Sequence, residues 1–171
     1  VTHNQKEALT MSDRIAVIND GDFEHIGAPE DVYSNPATPF VANFVGTANI
    51  FSGTVSAIED GLATVDCGQA VMKSRDTEDV ALGDSVSAVF RPEHLSVDTR
   101  KTAADGSGDG STVFDGTVAV KRYTGDQIEY HVNTGTGDSV IGVERVDETN
   151  AGEDDDIQLR LSATDCLLLA Q

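Results

Sequence analysis

FSGTV at Phe51–Val55 returns as FDGTV at Phe114–Val118, 63 residues further on. Each copy opens a stretch of short runs in which apolar and polar residues alternate, the period-two pattern of a half-buried strand. The two stretches also close alike, on a glycine, acidic residues and another alternating run: GDSVSAVF from Gly83 and GEDDDIQLRL from Gly152. Glycine and aspartate turns punctuate the region at roughly eight to twelve residues, the mark of a small barrel or sandwich. Two similar small barrels, about 51–99 and 113–171, are the economical interpretation of such a repeat. Between them RKTAADGSGDGST, Arg100–Thr112, is polar and glycine-rich without periodicity and reads as a mobile loop.

Upstream of Phe51 the texture is different, a mixture of helical and strand signals. VTHNQKEALTMSDR offers a helix start with Thr2 or Asn4 as N-cap and Gln5 or Glu7 three places on, as a capping box requires, and the helix is expected to end near Ser12. RIAVIND then reads as a strand, Asp20-Gly21 as a turn and FEHIG as a second strand, together a hairpin. Pro29 stands at a favoured first helical position and Pro36 stops the chain, so a short helix fits between them. TPFVANFVG is another, and Phe40, Val41, Phe44 and Val45 fall on one face, which is read as core packing rather than a cofactor surface.

The 171 residues suffice for one ordinary domain or two small ones. Because the chain starts at Val1 inside a structured segment, it is read as a piece of a longer one. Thirty acidic residues against eleven basic ones give a net charge of -19, a field that repels phosphate backbones and anionic membranes. Disorder does not account for the acidity, since 39% of residues are apolar and fall in short alternating runs. Mimicry of a polyanion would need one dense tract, whereas the longest acidic run is Glu153–Asp156. Aspartate outnumbers glutamate about two to one and only Lys6, Lys73, Lys101 and Lys121 are lysines, a bias that resembles proteins of salt-loving organisms. Self-repulsion of this kind is screened over ~10 Å at 0.1 M salt but over ~3 Å at 1 M.

Cys67 and Cys166 lack metal-ligand spacing and read as small apolar residues of strands. No metal site is expected. His25, His94 and His131 are scattered and read as surface or turn residues. No apolar run approaches the ~20 residues of a membrane span and no signal peptide is visible, so a cytoplasmic location is expected. Tyr123 and Tyr130 could stack on bases, but the strong negative charge argues against nucleic acid as a partner.

VTHNQKEALTMSDRIAVINDGDFEHIGAPEDVYSNPATPFVANFVGTANIF, residues 1–51, resembles without a gap the end of the nucleotide-binding cassette of ABC import ATPases, in the branch serving polyamines, iron, inorganic anions and sugars. VFRPEHLSV, with Arg91, Pro92 and Glu93, and GTVAVKRYTGDQIEYHV resemble that family's regulatory region, a tandem of oligonucleotide/oligosaccharide-type (OB) barrels. The resemblance covers most of the chain, leaving the loop around 103–110 unmatched. It implies an α/β end of an ABC cassette over 1–50, followed by an all-β tandem OB-like, transport-associated region over 51–171.

In that family the histidine at the position of His3 reaches the γ-phosphate of ATP, so the resemblance implies that His3 is both the catalytic switch and a cofactor contact. An imidazole suits the task, since it can donate a hydrogen bond to developing phosphoryl charge. Asn4 and Lys6 depart from the family's aspartate and glutamate; Asn caps a helix as well as Asp does, but it removes negative charge beside His3. For Arg91 and Glu93 the resemblance offers a contact between regulatory regions of two subunits; the plainer expectation is a local ion pair beside a rigid proline.

A phosphate-cradling loop needs glycine-rich N–H donors followed by lysine, and the chain contains no Gly-Lys pair. An LSGGQ-like signature and an apolar strand ending in Asp-Glu are missing as well. ATP and Mg²⁺ would therefore be bound mainly by segments outside these residues, and the chain alone is expected to be inactive. The implied partners are membrane-spanning permease subunits and a second ATPase subunit in a homodimer, with the protein peripheral on the inner face of the cell membrane. The texture of FVANFVGTANIF favours polyamine import, while iron, anion and sugar cargo stay open. A stand-alone OB-type module that binds or senses a small anion or sugar without hydrolysis is the alternative.

Overall fold

The computed structural model describes residues 1–68, 70–99, 110–135, 137, 139–147 and 151–171. The expected mobile loop, 100–112, lies for the most part outside the described residues.

The first helix, α1 (Gln5–Met11), starts where the sequence supplies a cap: the Asn4 side chain accepts from the Glu7 backbone N–H. Two strands follow, β1 (Ile15–Asn19) and β2 (Asp22–Gly27), paired antiparallel. Asp20 and Gly21 between them both have positive φ, 50° and 96°, the conformation a two-residue hairpin turn with the right twist requires and that Asp-Gly adopts readily. Proline then occupies the first turn of each of two short helices, α2 (Pro29–Ser34) and α3 (Pro39–Val45). The expected α/β end of a cassette is present here only as helix, antiparallel hairpin and two helices. No parallel pairing occurs among the described residues of this region, so no α/β sheet forms from it.

Ile15, Val17, Val32, Val41 and Val45 form a small core, with Ala8, Leu9 and Tyr33 leaning against it. The expectation that Phe40, Val41, Phe44 and Val45 pack as one core stripe needs correction. Val41 and Val45 are buried, but Phe40 and Phe44 stack on each other at 5.6 Å on the open side of α3. One short helix spreads these four residues over an arc wider than its small partner core covers.

The remaining strands are β3 (Asn49–Glu59), β4 (Leu62–Asp66), β5 (Val71–Ser74), β6 (Ser85–Phe90), β7 (Leu95–Asp98), β8 (Thr112–Tyr123), β9 (Gln127–Thr134), β10 (Ser139–Arg145), β11 (Asp156–Leu161) and β12 (Leu167–Ala170). A 3-10 turn, Pro92–His94, precedes β7, and another, Ala163–Asp165, precedes β12. The internal repeat is therefore structural: β3 to β7 and β8 to β12 follow the same order of elements.

The two halves are nonetheless not self-contained. One sheet runs β12-β6-β3-β4-β5 and the other β10-β9-β8-β11-β7, so each half gives its last strand to the other's sheet. Leu95 of the first half pairs with Leu161 of the second, and Leu167 of the second with Val89 of the first. A single continuous core results, drawing buried residues from both sheets. Phe51 and Phe114, the opening residues of the repeated pentapeptides, stack in its centre at 5.7 Å, and Phe90 completes the trio at 6.0 and 5.9 Å.

Glycine in FSGTV and FDGTV answers a steric demand that both copies share. A Cβ on Gly53 would lie 2.6 Å from the Asp66 carbonyl oxygen, and one on Gly116 would lie 2.6 Å from the Asn133 carbonyl oxygen. Closure is likewise duplicated. Asn49, opening β3, donates to the Ile141 carbonyl and accepts from the Ile141 N–H on β10, both at 2.8 Å. Thr112, opening β8, accepts from the Lys73 N–H on β5 at 2.9 Å. Each half thus ties its first strand to the third strand of the other, and both tying side chains are buried.

Candidate functional site

His3 stands in a bend one residue before the N-cap of α1 and is exposed. Its setting is built by its neighbours. Thr2 Oγ1 accepts from the Asn4 N–H at 3.0 Å and donates to Glu7 Oε2 at 2.8 Å, while Asn4 Oδ1 accepts from the Glu7 N–H at 3.3 Å. The bonds fix the backbone through His3 and leave the imidazole facing an open groove lined also by Leu9, Arg14, Ile18 and Phe44. An exposed imidazole at a capped helix start is a group able to donate to a phosphate brought to it.

Two of the other three histidines are placed differently from expectation. His94 is an exposed turn residue, as expected. His25 lies in β2 with its side chain only 12% exposed, its Nε2 3.3 Å from Asp31 Oδ2 and its Nδ1 accepting from the Ala37 N–H at 3.2 Å, so it fastens α2 and the following link to the hairpin. His131 lies in β9 against Glu129 Oε1 at 2.7 Å. Both are half-buried strand residues rather than turn residues: His25 pairs with a carboxylate that α2 brings over the hairpin, and His131 with one two residues away on the same face of its own strand. Burial, then the nearby Cys67 and Asp76, pushes the Cys166 thiol from its ordinary 9.0 up to about 12.

The most elaborate polar arrangement surrounds Arg91. It is the one charged side chain that is buried among the described residues, at 5% exposure, in a chain carrying a net charge of -19. The Nη1 group donates to the carbonyls of Ala42 at 2.7 Å, Gly46 at 3.1 Å and Thr47 at 3.1 Å, and Nη2 donates to the carbonyl of Tyr33 at 2.8 Å. The guanidinium also lies over the Tyr33 ring, 4.2 Å from its centroid, a cation–π contact. Tyr33 completes the arrangement by donating its phenol to Glu93 Oε1 at 2.7 Å.

Arg91 and Glu93 therefore do not pair with each other as a local ion pair; both engage Tyr33 of α2. Burial, the hydrogen bond to Glu93 and the charge of Glu93 push the Tyr33 phenol up to about 12, with Arg91 opposing. Burial lowers the pKa of Arg91, and the charges of Tyr33 and Glu93 oppose that shift. An arginine remains protonated under such a shift. Tyr33 was not singled out by the sequence, and the only available signal was an arginine standing in an otherwise apolar run, AVFRP.

Residues 88–169 match the TOBE domain family, and the matched span contains the whole second sheet together with most of β12. The chain is 38% identical over 143 residues to the spermidine/putrescine import ATP-binding protein PotA of Acidothermus cellulolyticus, covering 82% of this chain and 36% of that protein. The chain belongs to the ABC import ATPases and carries their C-terminal region. A second relative, the sulfate/thiosulfate import ATP-binding protein CysA of Bacillus cereus, is 40% identical over 105 residues, 61% of this chain and 28% of that protein. These 171 residues of an ABC import ATPase thus span about a third of the relatives they match. Among solved structures, the molybdate-bound form of the cytoplasmic molybdate-binding protein ModG superposes with a TM-score of 0.63 at 18% identity, covering 72% of this chain and 96% of that one. The likeness establishes an OB-like barrel fold for the TOBE region.

Proposed function

We propose that this chain is the C-terminal part of the ATP-hydrolysing subunit of an ABC importer, with residues 1–50 ending the nucleotide-binding cassette and 51–171 forming its regulatory region. The observation that carries the proposal is the apolar face of the first 45 residues. Met11 is 79% exposed and Phe23 66%, and Ile18, Ile26, Phe40 and Phe44 are exposed as well. An apolar surface of this kind marks an interface. The remainder of a cassette suits it as the covering partner, because the curated relatives are about three times longer than the span they share with this chain.

In this reading His3 contacts the γ-phosphate of ATP across the open groove, and ATP with Mg²⁺ is held mainly by residues outside the chain. Two such subunits pair around the nucleotide and drive membrane-spanning permease subunits from the cytoplasmic face. Polyamine cargo is favoured by the likeness to PotA, and inorganic anion cargo by the likeness to CysA. In the complete subunit, His3→Ala should abolish ATP turnover while nucleotide binding stays nearly unchanged; turnover at a near-normal rate would remove His3 from the chemistry.

The acidity fits a protein adapted to high salt. No aspartate or glutamate is buried among the described residues, so the negative charge sits where counter-ions screen it. A melting temperature that rises steeply between 0.1 M and 2 M KCl is expected, and one indifferent to salt would refute the adaptation.

A further inference from the structure

The Arg91 site does more than join two regions. Helices α2 and α3 have six and seven residues, lengths that do not hold helical structure unaided. Their last turns contain no basic residue, and the carbonyls at a helix C-terminus are left without intrahelical donors. One guanidinium meets both needs at once, taking the Tyr33 carbonyl of α2 and the Ala42, Gly46 and Thr47 carbonyls at the end of α3. A cation there also complements the negative ends of both helix dipoles. Arg91 belongs to the barrel, immediately after β6, and the Pro92–His94 turn that follows it fixes its direction. Order in the helix pair is therefore supplied by the barrel.

From the helix pair, contact continues to His3. Val32 of α2 and Val41 and Val45 of α3 share a core with Ile15 and Val17 of β1. Helix α1 buries no residue of its own and rests on that core only through the partly buried Ala8 and Leu9. Its N-cap is Asn4, directly after His3. We propose that Arg91 is a positioning residue, latching the barrel to α2 and α3 and thereby fixing α1 and His3, so that a change in the barrel is transmitted to the histidine. This inference rests on the reading of His3 as the nucleotide-facing group.

Arg91→Gln in the 171-residue chain tests it, with Arg122→Gln, an exposed arginine of β8, as the control. Amide hydrogen exchange should accelerate roughly tenfold in α2 and α3, the effect of losing hydrogen bonds to a charged group, and by a comparable factor in α1. Exchange in β3, β6, β8 and β11 should not change. The imidazole NMR signal of His3, assigned by its loss in His3→Ala, should shift in Arg91→Gln and stay fixed in the control. If exchange rises only in α2 and α3 while α1 and the His3 signal keep their values, Arg91 is a structural tie and the proposal is overturned. An unchanged exchange pattern overturns it too. Should Arg91→Gln not fold, Arg91→Lys keeps the charge but loses the forked donors that reach the Tyr33 and Ala42 carbonyls together, and it reads the same signals, with smaller shifts expected and their absence decisive against the latch. If these signals move but His3→Ala leaves turnover in the complete subunit intact, the latch stands and the nucleotide role of His3 falls.

Discussion

The barrel and the residues before it solve burial in opposite ways. From Asn49 onward the chain exchanges strands between its halves until one core contains Phe51, Phe90, Phe114, Leu159 and Tyr130, all buried. The first 45 residues enclose only a handful of valines and isoleucines and leave Phe23, Ile18 and Met11 in the open. The barrel closes around one core, although Leu82 and Tyr123 stay exposed on it, whereas the first 45 residues leave a larger share of their big apolar side chains in the open. Arg91 stands where the two meet, and the chain's single buried charge among the described residues is spent on holding the more open region to the barrel.

The largest effect should come from opening the closed core. Phe114→Ala removes one ring from a stack of three, and such a truncation costs ~3–5 kcal/mol, read as a lower urea midpoint for the barrel. A cost below ~1 kcal/mol would mean that the core is less tightly closed than the ring stack indicates.

High pH tests the same core through Cys166. Its thiol is pushed up to about 12 in the fold, so the stabilisation it gives is complete below its ordinary 9.0 and is lost as pH rises from there through 12. Unfolding free energy should fall over that window, and Cys166→Ala, which cannot ionise, should flatten the fall. A pH profile identical in the two proteins would dissociate the thiol from the core. Tyr33, raised for the same reason at the junction, contributes a further loss in the same direction.

The smallest effect marks the contrast. Phe23→Ser changes a ring already 66% exposed, so the melting temperature of this chain should stay within the range of ~0.5 kcal/mol typical of surface changes. The same substitution in the complete subunit should cost several times more if the face is covered there. Equal small costs in both would deny the apolar face its role as an interface.

The local features were legible in the residues because their causes are local. Asn4 as cap with Glu7 three residues on, Asp20-Gly21 as turn, and Pro29 and Pro39 in the first turns of helices each act over a few bonds. The repeat was equally visible, because Gly53 and Gly116 meet the same steric demand in both halves. His3 was legible only through the resemblance of the whole segment around it, since a single histidine carries no spacing. For Phe40, Val41, Phe44 and Val45, periodicity identified a helix but put on one core face residues that the structure divides between a buried and an open side.

What the sequence determined by itself was therefore the repeated order of elements and the identity of the capping and turning residues. Tertiary structure alone decided that β7 and β12 change sheets, because alternation gives a strand two faces but does not choose its neighbours. It alone decided the partners of Arg91 as well. The carbonyls that the guanidinium holds lie 44 to 58 residues away along the chain, and every residue type offers a carbonyl. Only the folded chain determines which of them end a helix within reach of an arginine.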